Sequence, residues 1–225
     1  MNNLGKKAFG GLILLVVVLG LILFLTAGTL NYWQAWVYLA IFFVSAGAIT
    51  LYLLRKDTAL LKRRLTAGPG GEKEKTQKII QSIAQFAFIA FYLLSGFDHR
   101  YEWSNVPVLV VIVGDILVAS GFYIVFVVFK ENTFTSATIE VDDKQTVIST
   151  GPYSIVRHPM YSGALIMLIG TPIALGSWWG LIAFILIAAV IIWRLLDEEK
   201  FLSANLPGYT EYCSKVRSRL IPGIF

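Results

Sequence analysis

The sequence predicts an all-α, polytopic integral membrane protein with about six transmembrane helices. Of its 225 residues, 56% are hydrophobic and only 15% are charged, and the mean hydropathy is +0.70. A soluble domain carries about 25% charged residues, so a water-soluble fold is excluded, and the 14% aromatic content excludes a disordered chain. The apolar residues form long runs without the alternation of a barrel strand. Helices are therefore expected, because a helix satisfies its own backbone hydrogen bonds in lipid.

Six apolar runs give the predicted helices in chain order. They are Phe9–Ala27, Ala35–Leu54, Ile79–Phe97, Val106–Phe129, Tyr161–Leu175 and Trp178–Leu196. The first four reach the length of about 20 residues that spans a hydrocarbon core of about 30 Å. The first run exceeds the roughly 7–15 apolar residues of a signal peptide, so it is predicted to be a retained helix. The last two are shorter and meet at Gly176-Ser177, so we expect a helical hairpin that crosses and returns.

The basic residues are placed almost entirely on one side of this predicted bundle. With the N-terminus in the cytoplasm and alternating helices, every Lys and Arg except Arg100 falls on the cytoplasmic side. This distribution follows the positive-inside rule, so both termini are predicted to be cytoplasmic. The net charge of +5 is then a signal of topology and of contact with the lipid bilayer, and no nucleic-acid partner is expected.

Metal and disulfide chemistry are not expected. The chain has a single cysteine, Cys213, which forbids an internal disulfide and a multi-cysteine metal site. Its two histidines, His99 and His158, are too few for a histidine-rich metal cage.

A polar segment from Lys130 to Pro159 separates the fourth and fifth predicted helices. A connection of about 30 residues is long, and such loops are usually functional or disordered. β-Branched residues alternate with polar ones here, so we expect an ordered lid or pocket wall. Pro152 and Pro159 restrict the backbone on either side of Arg157-His158 and so fix where those side chains point. The chain is thus expected to divide into membrane helices, residues 1–130, and a catalytic region, residues 131–225, made of a cytoplasmic loop, the hairpin and a C-terminal tail.

Charged residues within the apolar runs are further candidates. Arg194 and Glu198 are spaced i, i+4 and therefore share one helix face. Charged groups at the end of a spanning helix are functional candidates when they face the bundle. Asp115 lies inside the fourth run, where it either contacts substrate or pairs with a hydroxyl of a neighbouring helix.

Motifs in the C-terminal part carry a resemblance to a known family. They are Gly151-Pro152-Tyr153, Arg157-His158-Pro159-x-Tyr161-x-Gly163, Arg194 with Glu198-Glu199, and Pro207-Gly208-Tyr209. This pattern resembles the isoprenylcysteine carboxyl methyltransferases, within the membrane methyltransferases that include the phospholipid N-methyltransferases. The resemblance covers about residues 131–225. It implies a multi-helix membrane enzyme that uses S-adenosyl-L-methionine as its cofactor.

The resemblance also implies the site residues. Those implied to bind the cofactor are Gln145, Thr146, Val147, Ile148, Tyr153, His158, Pro159, Met160, Tyr161 and Glu198. The candidate catalytic residues are Arg194, on the substrate side, and Arg157. Tyrosine and histidine side chains suit an adenine ring and a sulfonium, because aromatic faces attract cations.

The predicted reaction is transfer of the sulfonium methyl group to a lipophilic acceptor. A carboxylate acceptor is favoured, because Arg194 can hold it bidentately and because it is already ionised near neutral pH. The alternative is a phospholipid or other amine, which must first lose a proton. Two interpretations from other classes stay open. One is an NADPH-dependent sterol-type membrane reductase, whose tail resembles Tyr212-Cys213 and Arg219-x-x-Pro222, and the other is a non-catalytic membrane scaffold.

Overall fold

The computed structural model describes residues 3–65, 75–135 and 145–225, and within these ranges every regular element is a helix. The helices are α1 (Asn3–Ala27), α2 (Trp33–Lys56), α3 (Thr58–Arg64), α4 (Lys75–Tyr101), α5 (Val108–Glu131), α6 (Pro159–Ala174), α7 (Gly180–Asn205) and α8 (Tyr209–Lys215), with a 3₁₀ turn at Gly151–Ser154. The predicted all-α, polytopic fold class is confirmed. Residues 136–144 of the predicted cytoplasmic loop lie outside the described residues.

Five of the helices, α1, α2, α4, α5 and α7, are long and apolar enough to cross a membrane. Helix α6 is apolar but has only 16 residues. At 1.5 Å per residue it is about 24 Å long, shorter than a hydrocarbon core of about 30 Å. Helix α7 continues to Asn205, well beyond the apolar run that ends at Leu196, so Arg194 and Glu198 lie on one unbroken helix.

Helix α3 was not predicted from the sequence. It has only seven residues, which are too few for a periodic hydrophobic pattern to be recognised in the sequence. The side chain of Asp57 caps it by accepting a hydrogen bond from the Leu60 backbone N–H at 2.8 Å. Leu60 and Leu61 are buried against Leu53 and Phe129, which holds the helix against the end of the bundle.

Helices α5 and α6 pack with their backbones in direct contact. A Cβ atom added to Gly114 would come within 2.3 Å of the Ala174 nitrogen, and one added to Gly121 would come within 2.6 Å of the Gly163 carbonyl oxygen. Small residues at such crossings allow the close approach that drives helix association in lipid, where no hydrophobic effect operates between helices. Helix α6 is therefore supported along its length by α5.

The predicted hairpin of α6 and α7 is present. At one end, a Cβ on Gly180 would lie 2.6 Å from Pro172. At the other end, Arg194 and Glu198 of α7 bond to Tyr161 of α6. The two helices therefore run antiparallel, joined by residues 175–179.

The two ends of the bundle differ in charge. One end holds the turns after α1, α4 and α6, tied together by the Tyr32 hydroxyl, which donates to the Leu175 carbonyl at 2.6 Å, and by Ser177, which donates to Asp98 at 2.5 Å. Among the described residues, Arg100 is the only Lys or Arg at this end. The other described Lys and Arg residues lie at the opposite end. The predicted segregation of charge is therefore present, and the cytoplasmic location of the basic end stays a prediction.

Cysteine labelling will determine this orientation. In a Cys213→Ser background, we expect Ser214→Cys to react only after the membrane is permeabilised and Asn105→Cys to react with an impermeant maleimide on intact cells. Both side chains are exposed and lie at opposite ends of the bundle. The reverse pattern would contradict the positive-inside assignment.

The α5–α6 contact predicts that alanine substitutions at two glycines differ in their effect on stability. Gly121→Ala places a methyl group within 2.7 Å of backbone atoms of α6 and should lower the free energy of unfolding by about 1–3 kcal/mol through overpacking. Gly11→Ala is the matched control, because nothing lies within 4 Å of its added Cβ. The free energy of unfolding of both variants is measured by titration with a denaturing detergent. Equal stability of the two variants would show that the close contact between α5 and α6 does not contribute to stability.

Candidate active site

A cavity opens at the basic end of the bundle, between the start of α6, the end of α7, helix α8 and the segment 145–148. All of the residues predicted to bind cofactor or to act in catalysis line it: Gln145, Thr146, Val147, Ile148, Tyr153, Arg157, His158, Pro159, Met160, Tyr161, Arg194 and Glu198. The structure thus brings the predicted set together in one place. Their roles stay predictions, since the geometry shows proximity and not function.

The cavity also has walls that the sequence analysis did not assign to the site. They are Asn132, Phe134, Thr135, Leu202, Leu206, Tyr209 and Tyr212. Tyr209 belongs to the Pro207-Gly208-Tyr209 motif, so a signal for it was present. The residues after α5 lie in the segment Lys130–Pro159 that was predicted to form a lid or pocket wall, but no motif singled them out individually.

One carboxylate, that of Glu199, organises the back of the cavity. It receives Arg157 Nε at 2.7 Å, Arg219 Nε at 2.9 Å and His158 Nε2 at 3.3 Å. Its side chain is only 12% exposed. A carboxylate buried to this extent needs charged partners and hydrogen bonds to offset its desolvation. Glu199 does not line the cavity, whereas its neighbour Glu198 does.

Arg157 joins this cluster to the C-terminal tail. Its Nη1 donates to the carbonyls of Val216 and Arg217, both at 3.1 Å. The backbone N–H groups of Arg157 and His158 donate to the carbonyls of Ser218 at 2.9 Å and Arg219 at 3.0 Å. The tail therefore runs along the start of α6 and holds it in position.

A second hydrogen-bonded network, formed by side chains of α6 and α7, faces the cavity. The Tyr161 hydroxyl donates to Glu198 Oε2 at 2.5 Å and accepts from Arg194 Nε at 3.2 Å. Tyr161 thereby links the two charged residues that the sequence placed on one helix face.

Gln77 of α4 completes this hydrogen-bonded network, and no sequence motif pointed to it. Its side-chain carbonyl accepts from Arg194 Nη1 at 2.8 Å, and its amide donates to Asp197 Oδ2. Gln77 is 1% exposed. It lies just before the third apolar run and outside every motif, so no local pattern could show that it reaches Arg194.

Tyrosines form the aromatic wall of the cavity. The Tyr212 hydroxyl donates to the Tyr153 carbonyl at 2.6 Å, and Asn132 Nδ2 donates to the Tyr153 hydroxyl at 3.0 Å. The Tyr209 hydroxyl lies 3.4 Å from His158 Nε2. Burial raises the pKa values of Tyr153, Tyr209 and Tyr212, so these phenols are neutral and present uncharged ring faces.

Asp115 lies away from this cavity. It is 8% exposed within α5, and one carboxylate oxygen has no hydrogen-bond partner among the described residues. It is not among the residues that line the cavity at the basic end. The structure therefore does not support a contact between Asp115 and a substrate bound in that cavity.

Comparison with known proteins identifies a family and several relatives that match part of this chain. Residues 109–207 match the model of the phospholipid methyltransferase family. The chain is 29% identical over 147 residues to protein-S-isoprenylcysteine O-methyltransferase B of Arabidopsis thaliana, which covers 62% of this chain and 68% of that protein. It is 32% identical over 124 residues to the probable protein-S-isoprenylcysteine O-methyltransferase of Oryza sativa subsp. indica, covering 52% of this chain and 60% of that protein.

These matches confirm the resemblance stated from the sequence and indicate a methyltransferase. The aligned part spans about two thirds of the length of the relatives or somewhat less. The family match begins inside α5, further upstream than the motifs from which the resemblance was inferred.

The Glu199 cluster predicts a specific loss of order in the tail. Glu199→Gln leaves Arg157 and Arg219 facing a neutral amide, which should lower the free energy of unfolding by about 3 kcal/mol and expose the tail to carboxypeptidase. Glu211→Gln, an exposed acidic residue of α8, is the matched control and should change neither. Thermal unfolding and timed proteolysis in the same detergent provide the measurement. An intact tail in Glu199→Gln would contradict the fastening role.

Proposed function

We propose that this chain is an S-adenosyl-L-methionine-dependent membrane methyltransferase whose acceptor is a lipophilic carboxylate of the isoprenylcysteine type. The observation that carries the proposal is one cavity at the basic end of the bundle that contains an aromatic wall, Glu198 and Arg194. The named relatives support the same chemistry. The five long apolar helices support a localisation in a membrane with several crossings.

The residues of the cavity suit the cofactor. Aromatic faces attract cations, and neutral tyrosine rings stay in place as flat surfaces for an adenine. Glu198 supplies a carboxylate that complements a sulfonium charge, and its contact with the Tyr161 hydroxyl fixes its direction. When bound, S-adenosyl-L-methionine would supply an electrophilic methyl group on that sulfonium.

Arg194 is proposed to hold the acceptor. It lies four residues before Glu198 on α7, which is about 6 Å further into the bundle along the helix axis. The acceptor would therefore approach from the bilayer side and the cofactor from the basic end. Tyr161 and Gln77 fix the Arg194 guanidinium from two sides. They act on the acceptor through Arg194 and are therefore positioning residues.

The chemistry then depends mainly on alignment. With the acceptor held by Arg194 and the cofactor held beside Glu198, a C–O bond to the methyl carbon would form as the C–S bond breaks, which would leave a neutral ester and a neutral thioether. No base is needed, because the carboxyl group is ionised near neutral pH. Exclusion of water and fixed geometry provide the acceleration, for which effective molarities of about 10⁵–10⁸ M are known.

Arg157 is proposed to act by positioning the cavity wall. Its guanidinium bonds to Glu199 and to two tail carbonyls, so it holds α6, α7 and the tail in register. This is a different role from the catalytic one predicted from the sequence, and its contacts favour it.

An amine acceptor is the second candidate, favoured by the match of residues 109–207 to the phospholipid methyltransferase family. It requires a group that takes a proton. In this cavity the proton acceptors are Glu198, which already accepts from Tyr161, and His158, which lies between Glu199 and Tyr209. Both are committed to other contacts, which makes the carboxylate the better substrate.

Substitution of Arg194 and Glu198 tests the separate roles proposed for them, acceptor binding for Arg194 and cofactor binding for Glu198. Arg194→Ala should keep cofactor affinity and lose methyl transfer by about 100-fold or more, as expected for a charge-assisted bidentate contact. Arg194→Lys should restore little, because lysine lacks the bidentate fork. Glu198→Gln should weaken the cofactor by about tenfold while keeping the shape of the side chain.

The measurement pairs calorimetric titration of S-adenosyl-L-methionine with single-turnover methyl transfer in one detergent. A farnesylated cysteine and a phosphatidylethanolamine are offered separately as acceptors, and NADPH is titrated in parallel. Transfer to the amine alone would replace the carboxylate assignment. Binding of NADPH in place of the methyl donor would support the reductase, and binding of neither would support the scaffold.

A further inference from the structure

The end of the bundle opposite the proposed active site has two adjoining concave surfaces. The first, the polar cavity, has a volume of about 420 Å³ and is lined among others by Asn31, Gln34, Arg100 and Glu102. The second, the apolar groove, has a volume of about 860 Å³ and lies between α1 and α2. The two meet at Thr29, which lines both. Volumes of about 300–1,000 Å³ are typical of ligand sites.

The polar cavity carries one charge of each sign. Arg100 is the basic residue of this end among the described residues, and Glu102 supplies the carboxylate. The Arg100 guanidinium lies at the junction with the groove, 3.6 Å from where a Cβ of Gly28 would be. Gly28 has φ +68°, a backbone conformation that favours glycine, and the guanidinium packs against it at van der Waals distance.

Glu102 is held in an unusual backbone conformation. Its φ is 53°. Within the described ranges it is the only non-glycine residue with a positive φ. Such a conformation is strained and persists only where the surrounding structure requires it. Here it places an exposed acidic residue at the wall of the cavity.

The apolar groove has the depth of one leaflet. Along α1 its lining runs from Val16 to Leu25, which is about 14 Å at 1.5 Å per residue. Half of a hydrocarbon core of about 30 Å is about the same depth. Leu21 is 54% exposed and Leu25 is 71% exposed, so the groove is open to lipid along its side.

We infer that these surfaces bind one zwitterionic phospholipid of the adjacent leaflet, with its phosphate at Arg100, its ammonium at Glu102 and an acyl chain in the groove. A positive and a negative group in one cavity complement a zwitterion, while an anionic headgroup would face the Glu102 carboxylate. The order of the surfaces, polar at the membrane boundary and apolar below it, matches the order of groups in a phospholipid. The site lies at the other end of the bundle and does not rest on the proposed methyl transfer.

Native mass spectrometry on the full chain tests this assignment. The protein is equilibrated with an equimolar mixture of phosphatidylethanolamine and phosphatidylglycerol and then stripped by stepwise detergent exchange. We expect one phosphatidylethanolamine to be retained. Arg100→Gln should reduce its retention by about tenfold, as for the loss of a charge-assisted hydrogen bond, and Arg100→Lys should largely restore it. Glu102→Gln should abolish the preference over phosphatidylglycerol.

A groove variant and its control separate this site from ordinary annular lipid. Ala40→Trp fills the groove from an exposed position of α2 and should also reduce retention by about tenfold. Ile116→Trp lies at a similar depth on α5, is 58% exposed and does not line the groove, so it should have no effect. Equal retention in all variants, or a preference for phosphatidylglycerol in the wild type, would overturn the inference. A dimer that Ala40→Trp dissociates would instead assign the groove to a second copy of the chain.

Discussion

The buried carboxylate of Glu199 is the constraint on which the cavity depends. It contacts Arg157 and His158, which precede α6, and Arg219 of the tail, while itself belonging to α7. Three segments that are distant in sequence therefore meet at one charge. The buried Arg157 guanidinium would be costly at this depth without a partner, and the carboxylate offsets that cost while also bonding through its other oxygen to Arg219. The neighbouring residue Glu198, on another face of the same helix, is left to face the cavity.

The glycine contacts between α5 and α6 provide the second fixed element. Because the two backbones touch at several glycines, α6 cannot slide or tilt without collision. His158 and Tyr161 at its start are consequently held at one height relative to α5, and Arg194 and Glu198 approach them from α7. The site thus combines a rigid steric contact on one side with an electrostatic contact on the other. Precise geometry of this kind is what a displacement reaction requires.

Much of this arrangement could be predicted from the sequence, and the parts that could not have physical reasons. Long apolar runs are a local property, so the spanning helices and their basic ends were readable, and a motif with two prolines identified the cavity. The i, i+4 spacing of Arg194 and Glu198 placed both on one face, but it could not show that Tyr161 lies between them. Gln77 reaches Arg194 only through tertiary packing between residues 117 positions apart in the sequence. Helix α3 was missed because its stability comes from two buried leucines and a cap, which are weak signals in a polar loop.

The short length of α6 has a mechanical consequence for the surrounding bilayer. Its last turn is level with the start of α7, where Pro172 meets Gly180, so the missing length falls at the other end. There α7 continues to Asn205 while α6 begins at Pro159. Hydrophobic mismatch of this kind is relieved by local thinning of the membrane, which lowers the headgroup layer toward the mouth of the cavity. In the proposed reaction, a lipid-anchored acceptor would then bring its polar tip to Arg194 while its chain stays in hydrocarbon, which avoids a cost of about 0.8 kcal/mol for each methylene drawn into water.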